Sequence, residues 1–130
     1  VGLAQEAIDL AVKYSKERMQ FGKRISQFQN TQFVLAECQT RVQAARLLVY
    51  QAASGLDAGN EDFTAPAMAK YYASEVCNDV ARKCLQVFGG YGYMKDYPIE
   101  RIYRDAKIAE IFDGTSEVQK MLISKAMGVR

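Results

Sequence analysis

The chain has 130 residues, of which 49% are hydrophobic and 25% are charged, with 17 lysines and arginines against 15 aspartates and glutamates. The two signs of charge are interspersed, so the sequence lacks the basic stripe by which proteins bind nucleic acid. No apolar run approaches the ~20 residues that span a bilayer, and the first ten residues lack the features of a secretion signal. The absence of histidine excludes Ser-His and Cys-His nucleophile pairs and imidazole metal sites. We therefore expect a protein that is neither secreted nor membrane-spanning and that holds no metal.

The three cysteines are expected to stay reduced. Cys77 and Cys84 are seven residues apart, which on one helix places their Cα atoms about 10 Å apart, beyond the reach of a disulfide. Cys38 falls on an apolar stripe elsewhere, with no obvious pairing. Three such thiols favour a reducing compartment, so we expect a bacterial cytoplasm first and a mitochondrial matrix second.

Two long helices are predicted in the first half of the chain. Apolar residues at helical spacing predict one from Val1 to about Arg18, which the stretch QFGKRISQFQN interrupts at Gly22. A second is predicted from about Thr31 to about Leu56, because an apolar stripe steps by three or four residues. The stripe consists of Val34, Cys38, Val42, Ala45, Val49, Ala52 and Leu56. Further apolar residues flank it and predict self-association. They are Ala44, Leu47 and Leu48.

Three more helices follow in the second half. Thr64 is predicted to cap the third, with Pro66 in its first turn, and the glycines of FGGYGY end it. The fourth is predicted to begin at Pro98. One side of this helix is predicted to carry Ile99, Ile102, Tyr103 and Ala106. The last is predicted to follow Asp113-Gly114-Thr115, with Thr115 or Ser116 as its cap.

No convincing strand is apparent in the sequence. Amphipathic helices joined by turns bury their apolar stripes against one another in a single core. The predicted fold is therefore all-α, an antiparallel up-down bundle of the four-helix type with short turns.

Two stretches outside the helices have alternative interpretations. GGYGY follows a helix rather than a strand and lacks a nucleotide-loop spacing, which favours a helix stop, although Tyr91 and Tyr93 leave a ligand contact open. KERMQFGKRISQFQ is either a solvated helix end or an anion site. In the second case Arg18 binds a phosphate and Phe21 and Phe28 cover a ring.

Asp113 also has two interpretations. A carboxylate at a helix break commonly caps the next helix and has no chemical role. Alternatively, beside the apolar Ile111 and Phe112 it faces a dry pocket, where loss of hydration makes a carboxylate a more effective general base.

The chain as a whole resembles a known family. The segments VGLAQEAIDLAVKYSKERMQFGKRISQFQ, QVFGGYGYMKDYPIERIYRDAKI and IFDGTSEVQ resemble the C-terminal domain of the FAD-dependent acyl-CoA dehydrogenases, in family order and spacing. The resemblance implies that residues 1–130 are one domain of a larger flavoenzyme that converts an acyl-CoA to trans-2-enoyl-CoA. It also implies a homodimer or tetramer and reoxidation by an electron-transferring flavoprotein. An enoyl-CoA reductase of the same family and a non-catalytic helical oligomerisation module are the alternatives.

The resemblance assigns FAD contacts to two groups of residues. Arg18 is placed at the pyrophosphate of the flavin bound mainly by the partner subunit. The other residues of this group are Gln20, Phe21, Phe28, Gln29, Gln86, Gly89 and Gly90. The second group contacts the flavin of the same subunit. Its members are Thr115, Ser116 and Glu117. Gly114 supplies a backbone contact near the substrate thioester.

The resemblance also makes Asp113 the catalytic base. In the family the base removes the proton α to the thioester while hydride passes from the β-carbon to flavin N5. Its backbone N–H stabilises the enolate-like charge on the thioester oxygen. The usual base is glutamate, and aspartate withdraws the carboxylate by roughly 1 Å, which can cost on the order of 10²-fold in rate. Some branches of the family instead carry the base on the preceding helix, upstream of Val1.

Overall fold

A computed structural model describes residues 1–129 of the chain. Five α-helices lie within these residues. They are α1 Gly2–Glu17, α2 Gln29–Asp57, α3 Thr64–Phe88, α4 Ile99–Ile108 and α5 Ser116–Ala126. Two 3₁₀ turns, Ile25–Gln27 and Gly89–Tyr93, lie in the connections. The all-α prediction is confirmed, and none of the helices in this part of the chain has the length and apolar character needed to cross a bilayer.

α3 is the central helix, since the other four helices all pack against it. Near the ends of α1 and α3 the rings of Tyr14 and Phe88 stack 4.2 Å apart, so these two helices run parallel. Glu37, early in α2, pairs with Lys83, late in α3, at 2.6 Å, so α2 runs antiparallel to both. The predicted up-down arrangement follows from these contacts, and α4 and α5 complete the bundle.

The core between α1, α2 and α3 consists mainly of small side chains, which allow the helix axes to approach closely. Its members include Ala4, Ala7, Ala11, Val42, Ala45, Val80 and Ala81. The predicted stripe of α2 is confirmed except at Leu56, which is 48% exposed because it lines an open cleft. The three cysteines are free and buried. The neighbouring Cys38 thiol and burial both raise the pKa of Cys84 above its usual value, a proximity that their sequence positions did not reveal.

A two-stranded hairpin that was not predicted from the sequence lies between α1 and α2. Strand β1, Met19–Gln20, pairs antiparallel with β2, Lys23–Arg24. The turn residues Phe21 and Gly22 have φ angles of 52° and 78°, both left-handed, as in the tight hairpin turns that usually carry Asn-Gly. Strands of two residues are too short to show the alternation that predicts a strand.

The predicted cap of α3 was wrong. Thr64 is the first helical residue and not the cap. Asp62 Oδ1 accepts two hydrogen bonds from Thr64, one from the backbone N–H of Thr64 at 2.9 Å and one from the Thr64 hydroxyl at 2.6 Å. These two bonds hold the pKa of the Asp62 carboxyl below its usual value. Pro66 does lie in the first turn of the helix, as predicted.

Two details of α4 also differ from the prediction. The helix begins at Ile99, one residue after Pro98, which is its N-cap. Tyr103 is 43% exposed, because its neighbour Ile102 already points to the buried side of the helix together with Ile99 and Ala106.

Candidate functional site

The predicted site residues gather at opposite ends of the bundle. We call the surface formed by Arg18, Gln20, Phe21, Phe28, Gln86, Gly89 and Gly90 the Arg18 end. The Asp113 end is formed by Asp113, Gly114, Thr115, Ser116 and Glu117. Val1 and Leu3, at the start of α1, share a cleft with Asp113, whereas Arg18 is the C-cap of the same helix. α1 has 16 residues and is therefore about 24 Å long. The Arg18 end and the Asp113 end of the bundle are thus about 24 Å apart.

The Arg18 end contains two adjoining clefts of about 540 and 530 Å³. Gln20 and Gln86 line both. Phe21 and Phe28 line only the first cleft, whereas the second is lined by Arg18, Gly89 and Gly90. The fold therefore brings together residues from the hairpin and from the end of α3, as the resemblance implied. Gln29 follows Phe28 at the start of α2 and is exposed, but it lines neither cleft.

Arg18 carries a charge that is available to a ligand. Its guanidinium carbon lies 5.1 Å from the centroid of the Tyr91 ring, a distance at which the cation and the aromatic face attract each other. Within residues 1–129 it forms no salt bridge. The Tyr91 ring orients the Arg18 guanidinium, and no carboxylate neutralises it within residues 1–129. Such an arginine can bind an anionic group such as a phosphate.

The glycines and the hairpin tip leave the Arg18 end open. Gly89 has φ 59° and ψ −137°, a conformation restricted essentially to glycine, and it ends α3 as predicted. A Cβ atom added at Gly89 or Gly90 would meet nothing within 4 Å, so the backbone here faces open space. Phe21 is 91% exposed at the tip of the hairpin, and its ring centroid lies 6.4 Å from that of Phe28 in an edge-to-face arrangement.

At the Asp113 end, the break between α4 and α5 is a left-handed turn. Asp113 and Gly114 have φ angles of 52° and 90°. Thr115 Oγ1 accepts a hydrogen bond from the Val118 N–H at 3.4 Å, so Thr115, rather than Ser116 or Asp113, supplies the cap of α5. Asp113 is left exposed, on the rim of a largely apolar cleft of about 470 Å³ that Phe112 also lines.

Two side chains from different helices hold this turn. The Gly114 carbonyl oxygen accepts hydrogen bonds from Lys70 Nζ of α3 at 2.6 Å and from Gln119 Nε2 of α5 at 3.1 Å. In the described part of the chain, the backbone N–H groups of Asp113 and Gly114 have no acceptor. Neither Lys70 nor Gln119 was predicted from the sequence, because neither belongs to a local motif and Lys70 is 44 residues from Gly114.

The remaining residues of the Asp113 end differ in their surroundings. The Glu117 carboxyl accepts hydrogen bonds from the Glu117 backbone N–H and from the Thr115 hydroxyl. These bonds hold the pKa of Glu117 below its usual value, so Glu117 is a carboxylate at the start of α5. Ser116 is 5% exposed, and its hydroxyl oxygen is buried without a hydrogen-bond partner in residues 1–129. The Ser116 N–H donates to the Glu110 carbonyl at 3.0 Å.

The chain is thus an all-α domain with open clefts beside Arg18 at one end and a carboxylate beside an apolar cleft at the other. The family model for the acyl-CoA dehydrogenase C-terminal domain matches residues 1–128. The chain therefore belongs to the acyl-CoA dehydrogenase family, as its C-terminal domain.

Relatives of known sequence and structure agree with this assignment. The chain is 52% identical over 124 residues to the caffeyl-CoA reductase-Etf complex subunit CarC of Acetobacterium woodii, covering 95% of this chain and 33% of the relative. It is 50% identical over 125 residues to the mitochondrial short/branched chain specific acyl-CoA dehydrogenase of Rattus norvegicus, covering 96% and 29%. The structure of butyryl-CoA dehydrogenase from Megasphaera elsdenii superimposes with a TM-score of 0.95 at 45% identity, covering 97% and 33%. The chain thus spans about a third of the length of these proteins.

Proposed function

We propose that this chain is the C-terminal domain of a flavin-dependent enzyme that dehydrogenates an acyl-CoA thioester to trans-2-enoyl-CoA, with Asp113 as the base. The observation that carries the proposal is the Asp113 end. There, an exposed carboxylate stands on a left-handed turn beside an apolar cleft, and its own N–H has no acceptor within residues 1–129. A base and an oxyanion donor on one residue suit removal of a proton α to a carbonyl group.

The residues at both ends fit FAD. At the Arg18 end, Arg18 would hold the pyrophosphate, while the open backbone at Gly89 and Gly90 allows close approach of a ligand. At the Asp113 end, Thr115 and Glu117 would contact a flavin. Bound FAD would accept the hydride that leaves the β-carbon of the substrate. Because about 24 Å separates the two ends, we assign them to two different flavins, one of them bound mainly by the partner subunit.

The chemical step attributed to this chain is proton removal. The α C–H bond breaks and the proton passes to the Asp113 carboxylate, while the Asp113 N–H donates a hydrogen bond to the thioester oxygen. Negative charge that develops on this oxygen is stabilised most where water is excluded. The apolar residues around the cleft contribute to that exclusion.

Replacement of Asp113 by asparagine tests the proposal. In the full-length protein, Asp113→Asn should keep FAD binding, because the side chains are nearly isosteric. Turnover and exchange of the acyl-CoA α-proton with deuterated water should fall by roughly 10³-fold or more, since no base remains. Asp105→Asn, an exposed aspartate on α4, is the matched control and should behave like the unaltered protein. Unchanged proton exchange in Asp113→Asn would show that the base lies elsewhere, upstream of Val1.

Reduction of an enoyl-CoA is the second candidate function. It is favoured by the 52% identity to a caffeyl-CoA reductase complex subunit, whose name also supports an electron-transferring flavoprotein as partner. Assays of both directions with the same preparation separate the two reactions. A full-length protein that binds no FAD would instead favour a non-catalytic oligomerisation module.

We also propose that the protein is a homodimer or tetramer in a reducing compartment, with a bacterial cytoplasm preferred to the mitochondrial matrix. The exposed face of α2 supports self-association, since Leu47 and Tyr50 are 60% and 63% exposed and Ala44 lies on the same side. Leu48 is half-buried beside them. The three free, buried thiols support the reducing compartment.

A further inference from the structure

Lys70 links the central helix α3 to the turn that carries Asp113. It lies in the second turn of α3, and its ammonium nitrogen donates to the Gly114 carbonyl oxygen at 2.6 Å. The same nitrogen lies 6.0 Å from the centroid of the Phe112 ring, on the other side of Asp113 in the sequence. Lys70 therefore contacts the residues that immediately precede and follow Asp113.

The charge of Lys70 is committed to this turn. The side chain is partly buried and lines the same cleft as Asp113. Within residues 1–129 it has no carboxylate partner. A partly buried ammonium is retained only where other groups replace its lost hydration, and here the Gly114 carbonyl does so.

The turn requires such support. A non-glycine residue with φ near +50° is strained, and strained residues persist where the surroundings hold them in place. Gln119, which is 7% exposed, bonds the same carbonyl oxygen from α5. Two donors from two helices thus fix the direction of the Gly114 carbonyl, and with it the orientation of the adjoining Asp113.

We propose that Lys70 is a positioning residue for the catalytic carboxylate. Its ammonium ties the Gly114 carbonyl to α3 and so keeps the Asp113 carboxylate and N–H directed at the substrate. This inference rests on the proposed function, since it assigns Lys70 a task only if Asp113 acts on a ligand. Misplacement of a catalytic group by about 1 Å can cost on the order of 10²-fold in rate, so a loosened turn should be visible in the chemistry.

The test compares Lys70→Met, Lys70→Arg and Lys120→Met in the full-length protein. Methionine keeps the apolar stem and removes the donor, whereas arginine keeps a charged donor. Lys120 is the matched control: it also connects α5 to α3, through Glu75 at 3.5 Å, but does not contact the turn. The measurements are kcat and KM, α-proton exchange of bound acyl-CoA, FAD content, and amide hydrogen exchange of residues 109–119.

For Lys70→Met we expect kcat and α-proton exchange to fall by about 10- to 100-fold while KM changes by less than about threefold. Amide exchange in residues 109–119 should accelerate by at least about tenfold, because the turn opens more often. FAD content should stay unchanged. Lys70→Arg should recover most of the rate, and Lys120→Met should match the unaltered protein in every measurement.

Proton exchange and amide exchange in Lys70→Met equal to those of the unaltered protein would overturn the inference. If Lys70→Met does not fold, Lys70→Gln, whose amide is too short to reach the carbonyl, serves in its place. Failure of both to fold, while Lys120→Met folds, would make Lys70 a general structural anchor and also overturn it. Asp113→Asn in the same assays separates the two proposals. An active Asp113→Asn refutes both, whereas an inactive Asp113→Asn beside a fully active Lys70→Met refutes only the role of Lys70.

Discussion

Asp113 combines a short side chain with an unusual backbone conformation. Aspartate is among the residues that adopt a left-handed φ most readily, so at φ 52° it costs less strain than most others. The resemblance implies that glutamate is usual at this position and reaches further. The structure therefore combines a more favourable backbone with a withdrawn carboxylate.

Lengthening this side chain should be tolerated. Asp113 is exposed on the rim of a cleft of about 470 Å³, so an added methylene has room and need not displace packed neighbours. We expect Asp113→Glu in the full-length protein to keep or raise kcat, with α-proton exchange following the same trend. A tenfold loss of both would show that the complete pocket is built around the shorter side chain.

Gly114 is a second residue whose replacement should have a defined effect. Alanine at φ 90° is strained by roughly 1–2 kcal/mol, and its Cβ would lie 2.8 Å from Gln119 Nε2. Gly114→Ala should therefore lower both thermal stability and α-proton exchange. Gly59→Ala is the control, because Gly59 has φ 79° and no atom within 4 Å of an added Cβ. It should lose a similar amount of stability through strain and keep its proton exchange. Equal proton exchange in the two variants would contradict the prediction.

Among the helices, the contact between α2 and α3 contains a network of ion pairs around Asp79. Its carboxylate bonds Arg41 of α2, Arg82 at 2.9 Å and Lys83 at 2.8 Å, and Lys83 also bonds Glu37. Burial alone would raise the pKa of Asp79, but hydrogen bonds from Lys83 and Arg82 outweigh it and lower this pKa below the ordinary value of 3.8.

This network should stabilise the bundle in a pH-dependent way. Because the folded-state pKa of Asp79 is depressed, its contribution is fully present above pH 3.8 and is lost as the pH falls through the folded value. After allowance for the 23% exposure of the side chain, Asp79→Asn should lower the free energy of unfolding by about 1 kcal/mol at neutral pH. Thermal melts between pH 3 and 7 should show the gap between the two proteins narrowing below pH 4. Asp9→Asn, which removes only an exposed bond from Gln5, is the control. A gap that does not change with pH would contradict the assignment.

Periodicity predicted the helices because their buried faces repeat along the chain. α1 and α2 were recognised from apolar spacing alone, and cap chemistry narrowed the start of α5 to Thr115 or Ser116. The hairpin at Phe21 was missed because it depends on two backbone angles and not on a pattern. The pairing of Arg41 with Asp79, across 38 residues, was not predictable because local spacing says nothing about which helices become neighbours.

At the scale of the whole molecule, the separated ends predict an active site shared between two copies. If each flavin needs Arg18 of one subunit and Asp113 of the other, Arg18→Ala and Asp113→Asn should each inactivate the pure oligomer. Random mixed dimers of the two variants contain one intact site, so mixing should restore about a quarter of the activity. The measurement is turnover after the two variants are co-refolded. No recovery from mixed oligomers would place both residues in the site of one subunit.

The resemblance named most residues of the candidate site, but it did not show how this chain supports them. Gln86 and Arg18 were implied by motif, and the fold places them in the same cleft. Lys70 and Gln119 were not implied, because each acts through the Gly114 carbonyl and makes no contact that a motif describes. Support of this kind becomes visible only when distant parts of the chain are placed together.

α3 contributes a residue to each end of the molecule. Lys70, near its start, bonds the turn of the Asp113 end, and Gln86, near its end, lines the clefts of the Arg18 end. A helix of 25 residues is a stiff rod of about 37 Å, so ordering one of its ends restricts the motion of the other. In the proposed enzyme each α3 would then run from the turn of Asp113 in one site to Gln86 in the neighbouring site. Filling the first site lowers the entropy cost of filling the next, and loading of the empty protein with FAD is expected to be cooperative.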